Sequence, residues 1–223
     1  MAGIEQEMKL MELRKEVSKA NKLLPETGLV TMHSGNASGY DPESEMLVIK
    51  PSGMDYDRIT PESLVQVHVP TGEIIGSNLR PSVDLPHHLF LYRHIEGLRG
   101  IIHTHSNYAT AFAAVLKPVP LVLTAIADEF GAEIPCAPYV DNEGEHIGEA
   151  ILKYRNRAPA ILMGNHGVFA WGDSPKSALK AAVMTEDVAK TVWIAMQIGQ
   201  PKAIPPEEAE KWYDRYHNRY GQS

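Results

Sequence analysis

The pattern of apolar and polar positions along the chain predicts an irregular alternation of helices and short strands. Apolar residues recur at helical spacing from Leu10 to Leu24, and Pro25 follows, so a helix is predicted over about residues 5–24. Similar patterns predict helices at residues 84–93, 108–116, 145–154, 174–198 and 207–217. Short apolar or β-branched runs predict strands at residues 47–50, 64–69, 73–75, 100–105, 160–163 and 168–171.

Turns of hairpin size join several of these strands, such as Pro70-Thr71-Gly72. This favours helices packed on a mixed or antiparallel sheet over a regular parallel winding. Two polar segments, residues 34–39 and 128–131, are predicted to be loops. With 223 residues, 43% of them hydrophobic, the chain is expected to form a single domain over residues 1–223.

Composition and charge disfavour several classes of function. The formal net charge is −7 and the sequence has no basic stripe, so nucleic acid is not an expected partner. The sequence has neither an apolar signal-peptide core nor a run approaching the ~18 apolar residues of a membrane span, so no membrane association is expected. The single cysteine, Cys136, rules out an intramolecular disulfide and fits a reducing compartment, so a cytoplasmic protein is expected.

Candidate chemistry is concentrated at the end of the strand that carries His103. Residues i and i+2 of a strand face the same way, so His103 and His105 are predicted to project side by side. A third histidine, His166, follows another apolar run and has glycines close on both sides. Three histidines and an open position are what a catalytic zinc ion needs. The pair alone is equally consistent with structural or surface histidines.

Five motifs, in order along the chain, resemble the class II aldolase and ribulose-phosphate 4-epimerase family. They are Gly35-Asn36-Ala37-Ser38, Lys50-Pro51-Ser52-Gly53, Arg80-Pro81-Ser82-Val83-Asp84, His103-Thr104-His105-Ser106 and Asn165-His166-Gly167. The resemblance extends over nearly the whole chain. Within the family it is strongest to the L-ribulose-5-phosphate 4-epimerases, because of Asp84, Asp128 and the terminal Tyr220-Gly221-Gln222.

The resemblance implies an α/β fold, a single three-layer α/β/α domain with a central, mainly antiparallel sheet. It also implies a cyclic homotetramer with active sites at subunit interfaces. The implied zinc ligands, with manganese or cobalt as alternative metals, are His103, His105, His166 and Asp84. The implied phosphate-binding residues are Gly35, Asn36, Ser52, Gly53, Ser82 and, through its backbone N–H, Val83. Asp128 and Tyr220 are the implied acid/base pair, with Tyr220 arriving from a neighbouring subunit.

The implied reaction interconverts L-ribulose 5-phosphate and D-xylulose 5-phosphate, as in arabinose catabolism. Breaking a carbon–carbon bond beside a ketone leaves negative charge on the carbonyl oxygen, and a divalent metal would stabilise that charge. A base would deprotonate the hydroxyl at which cleavage begins. An acid on the opposite side would serve the re-addition, so Asp128 and Tyr220 are expected on opposite sides of the substrate.

Alternative interpretations remain for several of these residues. Asp84 could cap the helix predicted after it, and the Gly35 and Gly53 segments could be ordinary turns. Asp128 could be a loop aspartate, and Tyr220 an interfacial aromatic. Two departures from the family pattern leave the substrate open. Val83 stands where a second serine is usual, and Trp212 stands where the epimerases have a histidine.

Alternatives also remain for the function. One is an aldolase that cleaves a (deoxy)ketose 1-phosphate such as L-fuculose 1-phosphate and releases the fragments. Another is a dehydratase of the methylthioribulose-phosphate type. The alternative from another class is a non-catalytic binding domain like the adducin head, against which the three histidines count.

Overall fold

The structure, a computed structural model, describes residues 2–221, with side chains described from residue 7 onward. Gln222 of the terminal motif lies outside the described residues. The helices are α1 (Ala2–Glu26), α2 (Leu85–His94), α3 (Asn107–Ala114), α4 (Thr124–Phe130), α5 (His146–Tyr154), α6 (Pro175–Ile198) and α7 (Pro206–Arg219). The strands are β1 (Asn36–Asp41), β2 (Met46–Ile49), β3 (Val65–His68), β4 (Ile74–Ile75), β5 (Gly100–Thr104), β6 (Cys136–Ala137), β7 (Ala160–Met163) and β8 (Gly167–Gly172).

These eight strands form one sheet in the order β4-β3-β2-β1-β5-β8-β7-β6. Neighbouring strands are antiparallel, except for β6 and β7, which run parallel. The predicted central, mainly antiparallel sheet is therefore confirmed. None of the described helices is long and apolar enough to cross a membrane.

Alternate side chains of the strands enter two separate cores, because successive residues of a strand point to opposite faces. On one face, Ile101 and Phe169 share a hydrophobic core with Leu91 of α2 and Ile151 of α5. On the other face, Ile102 shares a core with α1, α3, α4 and α6. The helical side chains of that second core include Val17, Leu24, Phe112, Ile126, Ala178 and Val188. Helices thus cover both faces of the sheet, and the predicted α/β/α layering is confirmed.

The prediction of a loop at residues 34–39 is wrong, because residues 36–41 form β1. This strand is central and pairs with β2 and β5. Its residues are small or polar, so their hydropathy does not indicate a buried strand. A Cβ on Gly39 would lie 2.7 Å from both Leu13 Cδ1 and Val17 Cγ2, so a larger residue would displace these side chains where α1 packs on the sheet.

The prediction of a loop at residues 128–131 is also wrong, since α4 spans Thr124–Phe130. The helix ends at Gly131, whose φ of +64° is the left-handed conformation that glycine favours at helix ends. Ile126 and Phe130 are four residues apart and fully buried. A helix of seven residues has too few turns for its periodicity to be detected in sequence. The two-residue strand β6 is likewise not predicted.

Candidate metal centre and substrate cavity

Three histidine rings meet at the end of β5 and form a nearly equilateral triangle. Their centroids are 4.8 Å apart for His103 and His105, 5.0 Å for His103 and His166, and 5.1 Å for His105 and His166. One nitrogen of each ring lies within 4.8 Å of the other two. The Nε2 atoms of His103 and His105 are 3.0 Å apart, close to the ~3.3 Å between two nitrogens bound tetrahedrally to one zinc ion. The structure therefore brings together the three histidines that the sequence singles out.

Tight backbone packing positions the histidines. His166 lies in the turn between β7 and β8, next to Asn165, whose φ of +57° is a left-handed conformation that asparagine tolerates. A Cβ on Gly167 would lie 2.5 Å from the carbonyl oxygen of Thr104 and 2.7 Å from Cδ2 of His105. The start of β8 can therefore approach the end of β5 only with glycine at this position.

A hydrogen bond fixes the tautomer of His103. Its Nδ1 lies 2.9 Å from the carbonyl oxygen of Val168. A carbonyl oxygen only accepts, so Nδ1 carries the proton and Nε2 retains its lone pair. The ring also stacks on Phe169, with 4.3 Å between centroids, which restrains its plane. Metal-binding histidines commonly donate such a bond from the ring nitrogen that does not bind the metal.

Burial keeps the three imidazoles neutral. It lowers the pKa of His103 to about 4, an effect that Asp84 opposes and that His105 and His166 reinforce. Burial also lowers the pKa values of His105 and His166 below the ordinary histidine value. Neutral imidazole is the protonation state that binds metals.

Asp84 is 6% exposed and lies at the N-terminus of α2. Its carbonyl oxygen accepts the N–H groups of His87 and His88. Asp84 thus holds the predicted N-cap position, but its carboxylate makes no capping hydrogen bond. Oδ2 instead accepts a hydrogen bond from Nδ2 of Asn36 at 2.6 Å. Burial raises the pKa of the carboxyl group, but His103, His88 and Asn36 outweigh burial, so the pKa lies below its ordinary value.

A cavity of about 180 Å³ joins the histidines to the loops next to β1 and β2. It is lined by the three histidines and Asp84, by the six residues implied for phosphate binding, and by His33, Ser34, Lys50 and Asn142. A groove of about 710 Å³ beside α1 is larger, but no histidine or cysteine is among the described residues that line it. We therefore place the candidate site in the smaller cavity, where the metal-binding groups converge.

Not all of the hydrogen-bond donors that the resemblance implies for phosphate binding are available in this cavity. The N–H groups of Ser52 and Ser82 donate to carbonyl oxygens of the facing loop, at 2.9 Å each. The N–H groups of Gly53 and Val83 have no acceptor among the described residues. The amide hydrogens of Asn36 are directed at Asp84 and at the hydroxyl of Ser82. The hydroxyl of Ser52 and the N–H groups of Gly53 and Val83 therefore have no hydrogen-bond partner among the described residues.

Lys50 is a cavity residue to which the sequence analysis assigns no role, although it lies within one of the five motifs. The residue is 2% exposed, and its Nζ lies 4.9 Å from the centre of the Tyr56 ring. Burial lowers the pKa of Lys50, while Asp55 and Asp84 oppose that shift. His33, Ser34 and Asn142 also line the cavity, and they lie outside the motifs in loops that only the tertiary fold brings there.

Neither Asp128 nor Tyr220 lines the cavity of its own chain. Asp128 is partly buried in α4, whereas Tyr220 is 66% exposed beyond α7 and stacks on Tyr216, with 5.3 Å between centroids. Helix α4 packs against α7, and its Glu129 forms an ion pair with Lys180 of α6 at 2.7 Å. Asp128 thus lies on one of two packed helices and Tyr220 directly after the other, outside the cavity of their own chain.

Known proteins share this fold. The structure matches L-fuculose 1-phosphate aldolase with a TM-score of 0.84 and 28% sequence identity, over 92% of this chain and 96% of that chain. It matches YgbL from Escherichia coli, for which an aldolase, epimerase or decarboxylase activity is proposed, with a TM-score of 0.79 and 24% identity over 92% and 99% of the two chains. For L-fuculose-1-phosphate aldolase from Thermus thermophilus the TM-score is 0.67 and the identity 24%, over 86% and 98%.

The sequence comparison identifies the family. Residues 15–193 match the profile of the family described as Class II Aldolase and Adducin N-terminal domain. That match spans the second half of the first helix, all eight strands and the four predicted metal ligands. The chain therefore belongs to the class II aldolase and adducin N-terminal domain family.

Proposed function

We propose that the protein is a divalent-metal-dependent enzyme that interconverts L-ribulose 5-phosphate and D-xylulose 5-phosphate by breaking and re-forming a carbon–carbon bond. One observation carries the proposal. A single cavity combines three neutral imidazoles and a carboxylate with unpaired backbone N–H groups and a buried lysine. The first set of groups suits a divalent metal, and the second suits a phosphate.

Zinc is the proposed metal, with manganese and cobalt as alternatives. His103, His105 and His166 would supply nitrogen ligands and Asp84 a carboxylate oxygen, a donor set that suits zinc. When bound, the ion supplies the positive charge that stabilises the oxygen anion formed beside the breaking carbon–carbon bond. Asn36 holds the Asp84 carboxylate in place through its 2.6 Å hydrogen bond.

The phosphate is proposed to bind at the loops that follow β2 and precede α2. The N–H groups of Gly53 and Val83 and the hydroxyl of Ser52 supply donors, and the ammonium of Lys50 supplies a positive charge. Gly53 has a φ of +67°, a conformation in which a side chain would be strained. Val83 contributes its N–H group but no hydroxyl, so the site has one donor fewer than a second serine would give.

Asp128 and Tyr220 are proposed to act as the acid/base pair in the cavity of a neighbouring subunit of a homotetramer. Two observations support this arrangement. Both residues lie outside their own cavity, Asp128 on α4 and Tyr220 directly after α7, the helix that packs on α4. The cavity of about 180 Å³ is also smaller than the roughly 300 Å³ at the lower end of small-molecule sites, as expected if a second subunit completes it.

The alternative function is an aldolase that cleaves a ketose 1-phosphate and releases the fragments. The similarity to L-fuculose 1-phosphate aldolase, at 28% identity, favours this function. Asp84 favours the epimerase, because the resemblance implies glutamate at this position in the aldolases. A non-catalytic domain like the adducin head is disfavoured, because the complete histidine triad has no evident purpose in such a domain.

Metal analysis and a substrate assay test the proposal. We expect about one equivalent of metal per chain, and D-xylulose 5-phosphate as the product from L-ribulose 5-phosphate. Stoichiometric release of free aldehyde without the epimer would refute the epimerase and support the aldolase. Less than roughly a tenth of an equivalent of metal, with no activity after zinc, manganese or cobalt is added, would refute both enzymes.

The variant Tyr220→Phe tests the acid/base role. Removal of the hydroxyl should lower turnover by about 10²–10⁴-fold and leave the metal content unchanged. Tyr216→Phe is a matched control, because Tyr216 stacks on Tyr220 without carrying the proposed role. Loss of metal from Tyr220→Phe, or full activity, would refute the assignment.

A further inference from the structure

Asn142 is a polar side chain at the cavity for which the proposed function has no use. It lies between β6 and α5, is exposed, and lines the cavity together with the three histidines. Its Oδ1 is hydrogen-bonded to Nε2 of His87, which is 1% exposed in the first turn of α2. A buried ring therefore restrains a side chain that would otherwise be free in solvent.

The tautomer of His87 determines which group of Asn142 remains available. Because Oδ1 of Asn142 accepts, Nε2 of His87 carries the proton. Nδ1 of His87 is buried without a described partner, and a proton there would be a buried, unsatisfied donor. The tautomer with its proton at Nε2 therefore fits these contacts. With its Oδ1 occupied, Asn142 has its amide N–H groups free to donate, since no described residue accepts from them.

Asn142 and the phosphate loops lie on opposite sides of the histidines in the sheet order. Strands β1 and β2 lie on one side of β5, and β8, β7 and β6 lie on the other. Ser52 and Gly53 follow β2, whereas Asn142 follows β6. The backbone N–H of His87 donates to the carbonyl oxygen of Asp84 at 3.1 Å, so His87 lies next to a proposed metal ligand.

A pentulose 5-phosphate has its phosphate at one end and a C1 hydroxymethyl group at the other. If its phosphate lies among the loops and its central oxygens lie at the histidines, the C1 end points towards the β6 side. We propose that Asn142, held by His87, selects substrates with a hydroxyl at that end by donating a hydrogen bond to it. The inference rests on the proposed function, which places the phosphate at the loops and the central oxygens at the histidines. A terminal methyl cannot accept the bond, so a deoxy analogue would be discriminated against.

Two sugar phosphates that differ only in this hydroxyl test the inference. They are D-xylulose 5-phosphate and 1-deoxy-D-xylulose 5-phosphate, and their Kd values for the zinc-loaded protein can be measured by titration calorimetry. We expect the native protein to bind the first about tenfold more tightly, and Asn142→Leu to bind both equally. His87→Phe should give an intermediate ratio, because it leaves Asn142 present without its anchor. Glu143→Leu, on the same loop but outside the cavity, should keep the native ratio.

Equal Kd values of the two compounds for the native protein would overturn the inference. It would also be overturned if the tenfold ratio of the two Kd values persisted in Asn142→Leu. A native ratio in His87→Phe would overturn the positioning role of that residue. If the native protein bound neither compound, both the inference and the proposed function would fail. A further outcome is a tenfold ratio in the native protein that Asn142→Leu loses, while the native protein neither interconverts nor cleaves the sugar phosphate. That result would support the role of Asn142 and refute the proposed reaction. Metal content and the Kd for inorganic phosphate, expected to be unchanged in Asn142→Leu, report whether the rest of the cavity is intact.

Discussion

Asn36→Ala is expected to weaken metal binding, although Asn36 is not a proposed ligand. Its Nδ2 donates to Oδ2 of Asp84 at 2.6 Å and to Oγ of Ser82 at 3.0 Å. Asn36 is 1% exposed and Asp84 is 6% exposed, so little water reaches the carboxylate. A hydrogen bond to a charged group contributes about 1.5–3 kcal/mol, and we expect the free energy of unfolding to fall by about 2 kcal/mol. For a chain of this length, that loss lowers Tm by about 4–8 °C.

The effect on the metal should exceed the effect on stability. Residues that orient a metal ligand typically change metal affinity by about 10–100-fold when they are removed. Asn21→Ala provides the matched control, because Asn21 is also a fully buried asparagine. Its Nδ2 donates to the carbonyl oxygens of Val17 and Ala37, and its Oδ1 accepts the N–H of Ala37. None of these groups belongs to the cavity, so Asn21→Ala should lose similar stability without losing metal affinity.

Two assays separate these effects. Urea denaturation of the chelator-treated variants gives the free energy of unfolding, and competition with a chromophoric chelator gives the zinc affinity. We expect both variants to unfold at lower urea concentration and only Asn36→Ala to bind zinc more weakly. The reasoning would be refuted if Asn36→Ala kept the native zinc affinity, or if Asn21→Ala lost as much affinity as Asn36→Ala.

Three further predictions concern the backbone around the site and the buried histidines. Gly167→Ala places a Cβ 2.5 Å from a carbonyl oxygen of β5, so this variant should hold much less zinc than the native protein. Gly199→Ala is the control, because its Cβ meets nothing within 4 Å. Equal zinc contents in the two variants would contradict the prediction. Glu186→Ala removes the carboxylate that accepts two N–H groups in the first turn of α3, at 2.9 Å each, so urea denaturation should show a loss of about 1–2 kcal/mol. Burial lowers the pKa of His88 to about 3 and that of His103 to about 4. Between about pH 4 and 6.5, these two histidines are therefore protonated in the unfolded chain and neutral in the folded one. Without metal, the free energy of unfolding should therefore rise with pH across that window, by about 1.4 kcal/mol per pH unit for each histidine. His88→Gln removes one of these histidines, so the free energy of unfolding should rise by about 1.4 kcal/mol less per pH unit. An unchanged pH dependence would contradict the burial argument.

The ligand triad could be predicted from the sequence because it depends on local geometry. The two-residue period of a strand places His103 beside His105, and the short β7–β8 connection returns His166 to the neighbouring strand end. The direction of each hydrogen bond could not be predicted in this way. Asn36 donates to Asp84 rather than to an anion, because the fold brings residues 48 positions apart into contact. The sequence thus predicts the histidine triad, and the tertiary structure determines which further residues join it in the cavity and what each polar atom does.

The two segments whose structure was wrongly predicted, β1 and α4, are segments that carry proposed site residues. In β1, small residues are required because α1 packs closely on one face, and a Cβ on the adjoining Gly35 would lie 2.6 Å from the carbonyl oxygen of His103. After α4, a Cβ on Gly131 would lie 2.6 Å from a ring carbon of Tyr213 in α7. In β1, close approach of backbones removes the large apolar side chains from which hydropathy patterns are read, whereas α4 keeps Ile126 and Phe130 and is missed because it is short. A glycine-rich polar segment next to a site is therefore as consistent with a buried strand as with a loop.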